Sequence, residues 1–118
     1  MSIWDEPAAG DNWLVVVSGR LDQSQNQLLE EELRRLLDEG HHRLIVDLSE
    51  VTYVNSGGLR CLVTIWRQAR EHGGNIVLCG MSDNIARVFK IVGFDKVFVI
   101  YPSRSDAERG FSVESGDS

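Results

Sequence analysis

The chain is predicted to fold as a single α/β domain, a mixed sheet of four to five strands flanked by helices. Apolar, β-branched runs at Trp13–Gly19, Arg43–Ser49, Asn75–Gly80 and Lys96–Tyr101 are separated by stretches of helical period. Strands that alternate with helices pair mainly in parallel, because each helix returns the chain to the same end of the sheet. The chain has 118 residues, 42% hydrophobic and 25% charged, which suits one domain able to bury its own core.

Ile3 and Trp4 read as a short first strand. Pro7, Gly10 and Asp11 mark the turn into WLVVVSG, so the two strands form an N-terminal hairpin. Arg20–Ser24 leads into a helix that Asp22 or Ser24 can cap. Leu28, Leu29, Leu33, Leu36 and Leu37 recur at helical spacing, and Gly40 ends the helix. Glu30, Glu31, Glu32, Arg34 and Arg35 take the remaining face, which reads as solvated.

RLIVDLS, from Arg43 to Ser49, is too continuously apolar for a half-exposed strand and is expected to be buried on both faces. VTYVNSGG follows as a connection. Leu59, Leu62, Val63, Trp66 and Ala69 then mark an apolar helical stripe ending before Gly73 and Gly74, with Trp66 in the core. NIVLCG is the next strand. Ser82 or Asp83 caps a helix carrying Ile85, Val88, Phe89 and Val92, which Gly93 stops with Phe94 as the accompanying hydrophobic contact. KVFVIY is the last strand, ended by Pro102, and residues 105–110 form a short final helix. The polar segment 112–118 is expected to be a disordered tail, leaving 1–111 as the domain. Trp4 and Trp13 either pack together near the hairpin or face a partner.

The formal net charge of −6 argues against nucleic acid, whose phosphates require clustered Lys and Arg. No apolar run is long enough to span a bilayer. The opening residues lack the basic and apolar regions of a signal peptide, so a cytoplasmic protein is expected. Cys61 and Cys79 form no CxxC pair and read as buried free thiols, with no metal site. Neither G-x-x-x-x-G-K-[ST] nor G-x-G-x-x-G occurs, so no cofactor is expected. VNSGG is not G-x-S-x-G, and His41, His42 and His72 fall near helix C-termini, where imidazoles complement the dipole. No acid–base constellation can be assembled, and no enzymatic activity is expected.

The informative segment is YVNSGGLR. Gly57 and Gly58 are poor helix formers in what reads as a first helical turn. Their presence implies either tight packing at a sharp strand-to-helix bend or close approach of a partner's backbone. Ser56 falls at or beside the N-cap, where its hydroxyl can serve a helix N–H. A phosphate there faces the positive end of the helix dipole, so the domain itself tolerates the charge while an apolar or acidic contact does not.

The same residues resemble the STAS family of anti-sigma factor antagonists. The matching pieces are SGRLD (18–22), LIVDLSEVTYVNSGGL (44–59), REHGGNIVL (70–78) and VGFDKVFVIY (92–101), and the resemblance runs from about Leu14 to Ala107. The central family pattern is D-L-S-x-V-x-(aromatic)-(apolar)-D-S-S-G-L. Asp47, Leu48, Ser49, Val51, Tyr53, Val54, Ser56, Gly58 and Leu59 match it. The resemblance implies a regulatory serine, phosphorylated at Ser56, with Asp22 matching a second acidic residue near it. Asn55 stands where the family usually has Asp, and Gly57 where it often has a second Ser. Asp22, Asn55, Gly57, Gly58 and Arg60 are expected to surround the partner contact.

The resemblance also implies a function. The domain would sequester an anti-sigma factor that doubles as a serine kinase, and so regulate transcription indirectly. Phosphorylation of Ser56 would weaken that complex and a serine phosphatase would reset it. The alternative is a constitutive interaction subunit of a stress-signalling scaffold or of a lipid or anion transport complex.

Overall fold

The computed structural model describes residues 2–116, with side chains described through Phe111. Its elements run in the expected order: β1 (Ser2–Pro7), β2 (Trp13–Leu21), α1 (Gln23–Asp38), β3 (Arg43–Val54), α2 (Ser56–Glu71), β4 (Asn75–Cys79), α3 (Asp83–Ile91), β5 (Ile100–Tyr101) and α4 (Arg104–Gly116). A 3₁₀ turn, Phe94–Lys96, lies between α3 and β5. The five strands form one sheet in sequence order. β1 and β2 are antiparallel and every later pair is parallel.

Helices cover both faces, as the apolar run Leu44–Val46 requires. Val15, Val17, Leu44, Val46, Leu48, Ile76 and Leu78 face α1, α2 and α3. Leu14, Val16, Ile45, Val77 and Cys79 face Ala107 and Phe111 of α4. Asp47 is the one buried charge among the described residues. Burial raises its pKa, but the Ser49 N–H (2.9 Å) and the Arg104 guanidinium (2.9 and 3.1 Å) outweigh that and hold the carboxyl below its ordinary 3.8. The pair ties α4 to the middle of the sheet. Cys61 and Cys79 are buried free thiols, pushed up to about 12 by desolvation.

Three elements depart from the sequence expectation. β3 continues through Val54, taking up the first half of the segment read as a connection. It stays paired with β2 across two register irregularities, at Val16/Ser18 and Gly19/Arg20. KVFVIY is not a six-residue strand: Lys96 closes the 3₁₀ turn and only Ile100 and Tyr101 pair. Phe98 is instead drawn into the core, edge-on to Trp66 (5.9 Å) and Phe89 (6.2 Å). The final helix extends to Gly116, into the segment read as a tail, and residues 117 and 118 lie outside the described residues.

Trp4 and Trp13 do not pack together. Trp13 stacks on His41 at 3.9 Å and donates its Nε1–H to Asp5 at 2.9 Å, on the face covered by α1. Trp4 pairs in register with Val16 and so points to the other face. Trp66 is half-buried and donates to Asn75 Oδ1 at 3.0 Å.

Candidate functional site

β3 feeds α2 through one residue, Asn55, at the C-terminal end of the sheet. Asn55 has extended backbone and is the N-cap: its Oδ1 accepts the Gly58 N–H at 2.9 Å. Ser56 is therefore the first helical residue and not the cap. Its hydroxyl is not needed to satisfy the helix end, and the residue is exposed.

The start of α1 lies beside the start of α2. The Asn55 N–H donates to the Leu21 carbonyl at 3.1 Å. Asp22 caps α1, taking the Ser24 hydroxyl (2.7 Å) and N–H (3.2 Å). The Ser24 hydroxyl, with Arg20 3.9 Å away, keeps the Asp22 carboxyl ionised below its ordinary 3.8. Arg20 also lies over the Tyr53 ring at 4.3 Å.

Asn26, one turn into α1, bridges the two helix starts. Its Nδ2 donates to Asn55 Oδ1 at 2.9 Å. With that amide turned over, its nitrogen faces the Asp22 carbonyl and its oxygen the Gly58 N–H, each at 3.1 Å. Either way α1 is fastened to the cap of α2. This residue was missed by sequence reasoning, and the glycines were its only signal. A Cβ on Gly57 would stand 2.5 Å from Asn26 Nδ2, and one on Gly58 would meet Asn26 Oδ1 and Val54 at 3.1 Å. Of the two reasons for glycine here, tight packing is the one the structure supplies.

That packing makes a prediction. Gly57→Ala is expected to destabilise the protein by about 1 kcal/mol, because the displaced Asn26 loses its bond to the cap. In an Asn26→Ala background the same change is expected to be neutral or stabilising, since alanine is otherwise the better helix former. Urea unfolding of the four proteins measures the coupling, and additive effects would remove Asn26 from the site.

On the other side of Ser56 lies a groove of about 240 Å³ lined by Ser56, Leu59, Arg60, Val63, Val92 and Phe94. α3 ends here, and Ile91 (76% exposed) and Val92 (46%) continue the apolar surface outward. The groove and this exposed apolar area are contiguous beside Ser56. The expected site residues thus come together: Ser56 at the centre, Asn55, Gly57, Gly58 and Asp22 on the α1 side, Arg60 on the groove side. Val63, Val92 and Phe94 were not assigned to the site from sequence.

The histidines stand elsewhere. His42 and His72 stack at 4.7 Å and bond to the Leu37 and Gln68 carbonyls of helix C-termini at 3.1 and 2.8 Å. His72 follows α2, about 24 Å of helical rise from Ser56, too far to act as its base. No group of three metal-ligating side chains occurs among the described residues.

The STAS domain model matches residues 6–107. The chain belongs to the STAS domain family. It is 32% identical over 100 residues to a Bordetella bronchiseptica protein named as an anti-sigma factor antagonist, BtrV, covering 85% of this chain and 86% of that one. It is 35% identical over 83 residues to the anti-sigma-B factor antagonist of Staphylococcus epidermidis, covering 70% of this chain and 77% of the relative. An anti-sigma factor antagonist from Mycobacterium paratuberculosis superposes with a TM-score of 0.85 at 25% identity, over 94% of this STAS domain and 93% of the other. The fold of this STAS domain, including its flanking helices, is therefore that of the family. No described helix is long and apolar enough to cross a membrane.

Proposed function

We propose that this STAS domain is an anti-sigma factor antagonist whose binding is switched at Ser56. The observation that carries the reading is the position of Ser56: exposed, in the first turn of α2, at the edge of an apolar groove, with the cap supplied by its neighbour Asn55. The hydroxyl can be modified without uncapping the helix, and the added dianion faces the helix dipole on one side and a partner's contact surface on the other. The relatives named as anti-sigma factor antagonists support the partner class.

In this scheme the partner is an anti-sigma factor with serine-kinase activity. The Ser56 oxygen forms a bond to the γ-phosphorus of ATP, the bond from that phosphorus to the β–γ bridging oxygen breaks, ADP leaves, and the hydroxyl proton passes to a base on the kinase. The antagonist is the substrate. A serine phosphatase hydrolyses the ester and restores the binding form. Asn55 in place of the family's Asp bears on the rate. It keeps an acceptor for Gly58. The lost carboxylate removes a like-charge repulsion beside the incoming phosphoryl group, and it also removes a group that could orient or activate the serine for the kinase, two effects that act in opposite directions.

The test is intact-mass spectrometry after incubation with host extract and ATP. One phosphate is expected on the wild type and none on Ser56→Ala. An active extract that modifies neither protein would favour a constitutive interaction subunit, and a phosphate that persists on Ser56→Ala would move the switch to another residue.

A further inference from the structure

Apart from Ser56 itself, the groove is lined by four apolar residues and one cation. Arg60 is exposed on its rim, and its guanidinium makes no ion pair or side-chain hydrogen bond among the described residues. Arg34 is held by Glu30, Arg35 by Asp5, Glu32 and Glu39, and Arg104 by Asp47. Arg67, Arg70 and Arg87 share the lack of an ion pair among the described residues, so what sets Arg60 apart is its place one turn from Ser56 on the groove. Within α2, the positions three and four residues from Arg60 are Gly57, Ser56, Val63 and Thr64, none of them acidic. The only one of these four that phosphorylation as proposed would make anionic is Ser56, one turn toward the N-terminus. Side chains four apart on a helix lie about 5–6 Å apart at Cβ, and an anion N-terminal to a cation is the favourable order.

We propose that Arg60 is the phosphate-holding residue of the switch. Once Ser56 is phosphorylated, the Arg60 guanidinium turns back over its own helix and binds the phosphate in cis, two N–H groups toward two phosphate oxygens. Arginine suits this because its planar fork matches phosphate geometry and stays charged at any working pH. Phosphorylation then changes the groove twice: it adds a dianion at one lip and withdraws the cation from the other. This inference rests on the reading of Ser56 as a phosphoacceptor and assigns Arg60 a role in that same site.

The test installs phosphoserine at position 56 of the full chain during synthesis, so no kinase is involved. The probe is the ³¹P resonance of that phosphate, titrated through its second ionisation, which ordinarily falls near pH 6. With Arg60 present, the second pKa is expected roughly 0.5 lower than in the Arg60→Gln protein. Arg60→Lys should recover part of the difference, since it keeps the charge but not the fork. The difference should shrink in about 1 M salt, where charges separated by more than about 3 Å are screened. Equal pKa values in the wild type and Arg60→Gln would overturn the proposal. That result would leave Ser56 as phosphoacceptor untouched, and an extract that fails to phosphorylate Ser56 would leave the titration unaffected.

Discussion

Ser56→Asp is expected to melt within about 2 °C of the wild type yet bind the anti-sigma factor about 50-fold more weakly. The first half follows from the cap. Asn55 Oδ1 satisfies the Gly58 N–H, so a changed side chain at position 56 leaves that bond in place. The new carboxylate sits in the first turn of α2, which has no acidic residue of its own, and there the dipole favours it. The second half follows from the groove. Leu59, Val63, Val92 and Phe94 line it with apolar surface, and a partner seated there strips water from whatever stands at position 56. A desolvated, unpaired charge costs a few kcal/mol, and each 1.4 kcal/mol is tenfold in affinity. Titration calorimetry against an anti-sigma factor captured with the wild-type protein, beside thermal unfolding of the antagonist alone, separates the two halves. A carboxylate that left the affinity unchanged would place the contact surface away from Ser56. A large fall in melting temperature would mean that position 56 is structural.

Much of this domain is legible in its sequence, and the parts that are not have physical reasons. Of the five leucines at helical spacing in α1, Leu29, Leu33, Leu36 and Leu37 are buried and Leu28 is exposed. Leu44, Ile45, Val46 and Leu48 are apolar on both sides of β3 because helices cover both sheet faces. Residues 96–101 are as apolar as a strand, yet Phe98 is buried against Phe89 and Trp66 with only two strand pairs formed. A short apolar run shows that a segment is buried but not in which conformation. The end of β3 was hidden for the opposite reason. Its pairing with β2 passes through two irregularities, so the alternation that betrays a strand is broken at Ser49–Tyr53.

At the site, the sequence offered Ser56 and its two glycines, and the resemblance gave them meaning. It could not offer Asn26. That residue lies between Gln25 and Gln27 on a helix whose polar positions otherwise look solvated, and its importance comes from tertiary contact across 29 residues. The apolar groove was equally closed to sequence reasoning. Leu59 and Val63 read as the buried stripe of α2, and Val92 and Phe94 as the end of α3. Only their meeting beside Ser56 makes one groove of residues that each have an ordinary structural reading.

Gly74→Ala is expected to cost about 3 kcal/mol or more, lowering the melting temperature by roughly 10 °C or more, without altering the switch. Gly74 is buried in the turn from α2 to β4. A Cβ built on it would lie 1.9 Å from the His42 carbonyl oxygen and 2.6 Å from its carbon. These are backbone atoms, so no rotamer change can relieve the overlap. The same carbonyl accepts the Asn75 N–H at 2.9 Å, beside the point where β3 and β4 begin to pair, Arg43 opposite Asn75. Moving it breaks that bond and pulls on the first rung of a parallel ladder. Gly73 is the control. It has φ of 80° but open space around its Cβ position, so Gly73→Ala should cost only the left-handed backbone penalty, about 1 kcal/mol. Urea unfolding of both variants measures the contrast, and equal losses would show that crowding at His42 is not what fixes Gly74. Below its melting point, Gly74→Ala should still be phosphorylated at the wild-type rate, because Ser56 stands at the other end of α2. The fold is thus closed at one end of α2 by a glycine packed against main chain, which no side chain can replace. The other end is fastened by a hydrogen-bonded asparagine pair, with Asn55 and not Ser56 as the helix cap.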